Sequence, residues 1–191
     1  IDDGAKNVEE SLKMISEMEK IGVSKILATP HSNPGVYENN YDSIKKSYEK
    51  VIHGIGDKIK IDFSAEYMID LSLIKKAENK SLLTFNDNYI LIEMSYLSEH
   101  NDAFEIIFNL RLKGFNLILA HPERYFYLHN SFDKYKKLKD MGCQFQINLF
   151  SLVGSYGSKV TEVSKKLINK NYIDYAASDL HNEKQIANFA V

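Results

Sequence analysis

The chain has 191 residues, of which 44% are hydrophobic and 26% charged, the make-up of a globular domain with material for a sizeable core. The formal net charge of −2 implies no broad basic face and argues against nucleic-acid binding, and the single Cys143 excludes an internal disulfide framework. No apolar stretch approaches the roughly 20 residues of a membrane span and no secretory leader is visible, so the expected location is cytoplasmic.

Asn7 with Glu10 three residues on reads as a capping box. Val8, Leu12, Ile15, Met18 and Ile21 follow at helical spacing up to a stop at Gly22. Lys25 to Thr29 is a buried strand, and Ser32 to Asn40, with Pro34 and Gly35, a loop. Tyr41 to about His53 is helical, Ile59 to Ala65 a strand, Leu71 to Asn79 a short helix and Tyr89 to Ile92 a strand. Asn101 caps a helix running to Lys113. Strands then fall at Asn116 to Ala120, Gln144 to Asn148 and Tyr172 to Ala177, with helices at Phe132 to Met141 and Ser158 to Lys170 between them.

Six of these apolar runs end in a polar or ionisable residue: His31, Glu66, Glu93, His121, Asn148 and Asp179 with His181. The run ends lie 27 to 35 residues apart, the spacing of βα units in a parallel sheet. Chemistry at successive strand carboxyl ends is how a β/α barrel builds a site. Six strands do not readily close an eight-stranded barrel. Ile1-Asp2-Asp3-Gly4 reads as the loop after a strand that precedes Ile1, and the chain starts without Met. The expected architecture is therefore α/β, a distorted seven-stranded (β/α) barrel read as N-terminally incomplete, with residues 1–191 forming one domain. An open doubly wound sheet is the competing architecture.

Each candidate has a structural reading beside the chemical one. Asp3 is a loop ligand or a turn residue before a helix, where its charge suits the dipole. His31, after Thr29-Pro30, is a ligand or a structural histidine. Glu66 and Glu93 directly follow apolar runs, and a buried carboxylate is costly unless paired or metal-bound. His121 ends a strand, and Arg124 in the following loop carries the rigid donor fork that matches phosphate. Asp179 and His181 form a D-x-H pair whose side chains can enter one cavity. His and carboxylate residues converging at strand ends make a metal site. His53 closes a helix, and His100 and His129 fall in loops, so these are structural or surface residues. Tyr125 and Tyr127 are packing or rim residues that could line a pocket near Arg124. Cys143 precedes its strand and lacks the Cys-x5-Arg spacing of cysteine-dependent phosphatases, and no Walker loop or GxGxxG is present.

The segments IDDGAKN at Ile1, ATPH at Ala28, AEY at Ala65, ILIEMS at Ile90, LAHPERY at Leu119, QINLFSLVGSYG at Gln146 and ASDLHN at Ala177 resemble, in order and over nearly the whole chain, the PHP (polymerase and histidinol phosphatase) superfamily. More narrowly they resemble the bacterial manganese-dependent protein-tyrosine phosphatases of capsule and exopolysaccharide synthesis. The resemblance implies a β/α barrel with two to three metal ions, usually Mn2+ with iron or zinc as alternatives. It implies the ligands Asp3, His31, Glu66, Glu93, His121, Asp179 and His181, with Arg124 on the phosphate. The implied partner is a phosphotyrosine protein, a bacterial tyrosine kinase in particular; oligomerisation is left open. Two departures stand out. The D-x-H-x-H strand that opens the family pattern is not in this chain, and the family arginine shortly after SDLHN is replaced by a tract in which Lys184 is the available cation. Lysine cannot reproduce the bidentate fork.

The leading reading is metal-assisted hydrolysis of a phosphomonoester, with Arg124 stabilising phosphoryl charge and His181 or Asp179 assisting proton transfer. The alternatives are a small-molecule phosphatase such as histidinol phosphatase, and a truncated, non-catalytic domain that binds metal or phosphate.

Overall fold

The computed structural model describes residues 1–55 and 59–186, which fall into two compact units. The first comprises residues 1–65 together with the segment from Leu180 onward, and the second residues 66–179.

In the first unit, helix α1 (Val8–Lys20) begins where Asn7 Oδ1 accepts the Glu10 amide at 2.8 Å. The expected capping box is only half formed: Glu10 Oε2 accepts from Lys6 N at 2.9 Å rather than from the cap residue. The helix stops at Gly22, whose φ of +93° is open to glycine without a Cβ penalty. Strand β1 (Lys25–Ala28) follows, then the two-residue β2 (His31–Ser32) and helix α2 (Tyr41–Ile52). Helix α2 carries a complete capping box between Asn40 and Ser43, and His53 is its C-cap. Strand β3 (Lys60–Phe63) runs parallel to β1, with Lys25 opposite Lys60 and Ala28 opposite Phe63. Tyr48 in α2 donates to the Ile61 carbonyl at 3.0 Å, and Met14, Ile44 and Ile61 are buried. The short helix α8 (Glu183–Ile186) belongs to this unit, where Glu183 pairs with Lys13 of α1 at 2.7 Å.

The second unit carries five strands in parallel: β4 (Glu66–Met68), β5 (Tyr89–Glu93), β6 (Asn116–Ala120), β7 (Gln144–Asn148) and β8 (Tyr175–Ala177), adjacent in that order. Helices α3 (Leu71–Glu78), α4 (Ala103–Leu112), α5 (Phe132–Asp140), α6 (Leu149–Leu152) and α7 (Ser158–Asn169) alternate with them. Ile90, Ile92, Leu117, Leu119 and Phe145 are inaccessible to solvent, as expected of parallel strands covered on both faces. Ile106, Ile107 and Leu110 of α4, Tyr135 and Leu138 of α5, and Val163 and Leu167 of α7 complete this core. Cys143 is buried just before β7, where burial pushes its thiol up to about 12, so thiolate chemistry is absent at neutral pH.

The expected α/β class and parallel pairing are observed, with three local differences. The run Ile59 to Glu66 is two strands, because β3 ends at Phe63 and Glu66 opens β4 instead of closing a strand. Asp102, not Asn101, occupies the N-cap of α4, without a side-chain cap bond. The last strand begins at Tyr175 rather than Tyr172: the Tyr172 amide closes the end of α7 on Leu167 O, and the Asp174 carboxylate is taken by Phe145 N and Lys139. No helix among the described residues is long and apolar enough to cross a membrane.

Candidate active site

In the first unit Asp3, His31 and His181 each offer a ligand atom within 4.8 Å of one another. Asp3 Oδ1 lies 3.5 Å from His31 Nε2 and 3.6 Å from His181 Nε2, and the two imidazoles stack with centroids 5.7 Å apart. The neighbour of Asp3 explains how this geometry is held: Asp2 accepts the Gly4 amide through Oδ1 and the His31 amide through Oδ2, at 3.1 and 3.0 Å. Asn39 Nδ2 donates to the carbonyls of His31 (2.9 Å) and Ile1 (3.1 Å), tying the loop to the same point. Tyr37 stacks on the other side of His31, 5.9 Å between centroids. Lys184 is exposed on α8.

In the second unit Glu93 ends β5, His121 follows β6, Asn148 ends β7 and Asp179 follows β8, at one edge of four adjacent strands. Glu66 lies two positions back along β4, opposite Leu91, while Met68 is opposite Glu93. His121 Nε2 donates to Glu66 Oε1 at 3.0 Å in fully buried surroundings. Burial raises the Glu66 carboxyl above the ordinary carboxylate range, and the bond to His121 offsets only part of this. For the imidazole, burial pulls downward, but the bond and charge of Glu66 outweigh it, so His121 lies above its ordinary value. Glu93 is also buried, and its negative charge adds to the repulsion on Glu66.

Arg124 emerges from the 3-10 turn Pro122–Arg124, one turn beyond His121. Its Nη1 donates to Asp179 Oδ2 at 3.1 Å, and its guanidinium carbon sits 4.6 Å from the Tyr96 ring centroid and 4.2 Å from that of Tyr156. Burial disfavours the guanidinium charge, and the surrounding Tyr96, Tyr156 and Asp179 more than compensate, leaving it firmly protonated. Asn148 Nδ2 donates to the same Asp179 oxygen at 2.8 Å and to Tyr156 Oη at 3.2 Å. Behind it, the wholly buried Glu123 accepts from Asn148 N at 3.0 Å and from Ser151 Oγ at 2.6 Å.

Within the first unit the geometry brings Asp3, His31 and His181 together, and within the second Glu66 with His121 and Arg124 with Asp179. Of the D-x-H pair, His181 Nε2 lies 3.6 Å from Asp3 Oδ1 in the first unit, and Asp179 Oδ2 accepts from Arg124 and Asn148 in the second. Tyr125 is corrected as a pocket-lining candidate. It is fully buried, and its hydroxyl donates to Ala120 O and accepts from Met94 N, both at 3.0 Å. His129 is likewise internal, with Nε2 donating to Glu123 O at 2.7 Å. Tyr96 and Tyr156 escape sequence reasoning because both sit in irregular segments, where no periodicity marks a residue as facing a site; the signals available were that Tyr96 follows β5 by three residues and that Tyr156 falls within the segment QINLFSLVGSYG.

The donor chemistry fits a divalent cation. Two imidazoles and a carboxylate form a mixed N/O set suited to zinc, iron or manganese. In the second unit, two buried carboxylates and one imidazole place surplus negative charge in low dielectric, a burden that a cation relieves. The chain is thus an α/β protein with metal-compatible donors in each unit and an arginine at the strand ends of the second.

A family model for capsular polysaccharide synthesis, CpsB/CapC, matches residues 1–188, and the chain belongs to that family. The tyrosine-protein phosphatase CpsB of Streptococcus pneumoniae is 30% identical over 95% of this chain and 79% of its own length. Among the crystal structures of YwqE from Bacillus subtilis and CpsB from Streptococcus pneumoniae, described as unique metal-dependent tyrosine phosphatases, one chain matches with a TM-score of 0.89. It is 30% identical and covers 97% of this chain and 76% of the other. Histidinol phosphate phosphatase from Lactococcus lactis, solved with zinc, L-histidinol and phosphate, shares the fold at a TM-score of 0.57 and 18% identity, over 93% and 84% of the two chains.

Proposed function

We propose that this chain is a metal-dependent tyrosine-protein phosphatase acting in capsule or exopolysaccharide synthesis, with residues 1–191 working as one PHP-type domain. The observation that carries the reading is Arg124, whose charged fork is held at the strand ends of the second unit beside Asp179, in the turn that follows His121, the partner of Glu66. The substrate we infer is a phosphotyrosine protein, a bacterial tyrosine kinase in particular, and the lone buried Cys143 suits a reducing, cytoplasmic setting.

Asp3, His31 and His181 in the first unit and Glu66, Glu93, His121 and Asp179 in the second are the proposed metal ligands, for Mn2+ in the first instance. A metal held by these residues would supply Lewis acidity toward phosphoryl charge and a bound water acidic enough to react near neutral pH. Arg124 binds the phosphoryl oxygens and stabilises the charge that grows on them in the transition state. Glu66 holds the His121 ring in one orientation through the 3.0 Å bond. Asp179 holds Arg124 in place through Nη1. His181 or Asp179 assists proton transfer, and Lys184 supplies a supporting cation.

The test is hydrolysis of p-nitrophenyl phosphate by the full-length protein with manganese. The reading expects turnover, lowered by 100-fold or more in Arg124→Ala, on the scale of removing one transition-state donor. No turnover, or turnover unchanged by Arg124→Ala, would overturn it. The small-molecule alternative has the fold likeness to histidinol phosphate phosphatase behind it, and fold alone does not select a substrate.

A further inference from the structure

Arg124 is set in a frame whose parts touch one another. Its guanidinium carbon lies over two aromatic rings, 4.6 Å from the Tyr96 centroid and 4.2 Å from the Tyr156 centroid. Both rings are themselves fixed. Tyr156 Oη accepts from Asn148 Nδ2 at 3.2 Å, and Tyr96 Oη is 3.1 Å from His121 Nε2. Asn148 also donates to Asp179 Oδ2, the atom that accepts from Arg124 Nη1, so Arg124, Asp179, Asn148 and Tyr156 form a closed circuit.

A guanidinium carries five N–H donors in one plane. Contact with two rings restricts how that plane can turn. Among the described residues, Nη1 to Asp179 is the one hydrogen bond that engages this group. The Nε and Nη2 edge therefore remains for a bidentate contact of the kind arginine makes with phosphate. A free arginine side chain loses rotamer freedom when it binds, and a side chain already immobilised has lost it in advance.

We propose that Tyr96 and Tyr156 are positioning residues: they clamp the Arg124 guanidinium against their rings and present its remaining donors to the phosphoryl group. The proposal rests on the reading of Arg124 as the phosphate-binding group. It is the rings rather than the hydroxyls that do the holding, although each hydroxyl also has a bond of its own. This makes phenylalanine and leucine informative replacements. Phenylalanine keeps a π face for the cation; leucine keeps bulk and apolarity without one.

The experiment uses the full-length protein with Tyr96→Phe, Tyr96→Leu, Tyr156→Phe, Tyr156→Leu and Arg124→Ala. The Kd of inorganic phosphate is read by calorimetry, with and without manganese, beside KM and kcat for p-nitrophenyl phosphate. The expected result is a weakening of phosphate affinity, and a rise in KM, of about 5- to 30-fold for each leucine variant, in line with a partly desolvated cation–π contact. Each phenylalanine variant stays within about threefold of the parent. Leucine variants that bind phosphate like the parent while Arg124→Ala does not would overturn the clamp and leave the role of Arg124 standing. Phenylalanine variants as weak as leucine would also overturn the clamp, by assigning the effect to the hydroxyls. Phosphate binding unchanged in Arg124→Ala would overturn both the clamp and the reading of Arg124. The tyrosines lie on separate loops, so if Tyr96→Leu fails to fold by thermal melting, the Tyr156 pair decides the question.

Discussion

His121 and Asp179 both adopt positive φ, +34° and +49°, a conformation that costs a side-chain-bearing residue energy and persists where the surroundings over-determine it. In each case the surroundings are polar contacts of the site: Glu66 and Tyr96 on His121, Arg124 and Asn148 on Asp179. Strand-end histidines and carboxylates are legible in the sequence because an apolar run followed by an ionisable residue leaves few bland readings. The backbone turn that aims them is not, since it depends on partners 25 to 55 positions away. Tyr125 shows the opposite error. Its place beside Arg124 suggested a pocket wall, but its ring fills the core and its hydroxyl bridges Ala120 O and Met94 N. Tyr125→Phe is therefore expected to lower stability by about 1–3 kcal/mol, because it leaves buried polar groups without a partner, while KM stays near that of the parent. Urea unfolding and steady-state kinetics check this; a raised KM with unchanged stability would place Tyr125 against substrate after all.

Helix and strand positions were largely readable from periodicity, with discrepancies where local polar bonds redirected the chain. Asp174 spends its carboxylate on Phe145 N and Lys139, which postpones the last strand to Tyr175. The interruption at Ser64-Ala65 is likewise invisible to pattern, because both residues are apolar or small and fully buried. Its consequence is functional: Glu66 begins β4 and so lies lower in the sheet than Glu93, where His121 meets it. Helix α3 supplies a simpler test of the element scale. Asp70 caps it by accepting from the amides of Ser72 (2.8 Å) and Leu73 (3.2 Å). Asp70→Ala should cost about 1 kcal/mol of stability, typical of a lost N-cap, with no change in phosphate affinity. A thermal shift near zero would contradict the capping assignment.

At the scale of the whole molecule, each of the two units carries metal-compatible donors, and family membership spans residues 1–188. In the first unit Asp3 and His31 were each anticipated with an innocent alternative, and His181 as half of a D-x-H pair. The distances that make Asp3, His31 and His181 a cluster come only from folding. The class of chemistry could be read from residue types at strand ends, whereas the preference for phosphotyrosine could not, since the arginine and the donors serve any phosphomonoester. The most direct test of the account is the rate of the full-length protein on a phosphotyrosine peptide, before chelation, after chelation and after manganese is restored, with L-histidinol phosphate run alongside. The account predicts that chelation abolishes turnover of the peptide, that manganese returns it, and that the peptide is hydrolysed at least tenfold faster than histidinol phosphate. Turnover that survives chelation, or a preference for histidinol phosphate, would contradict it.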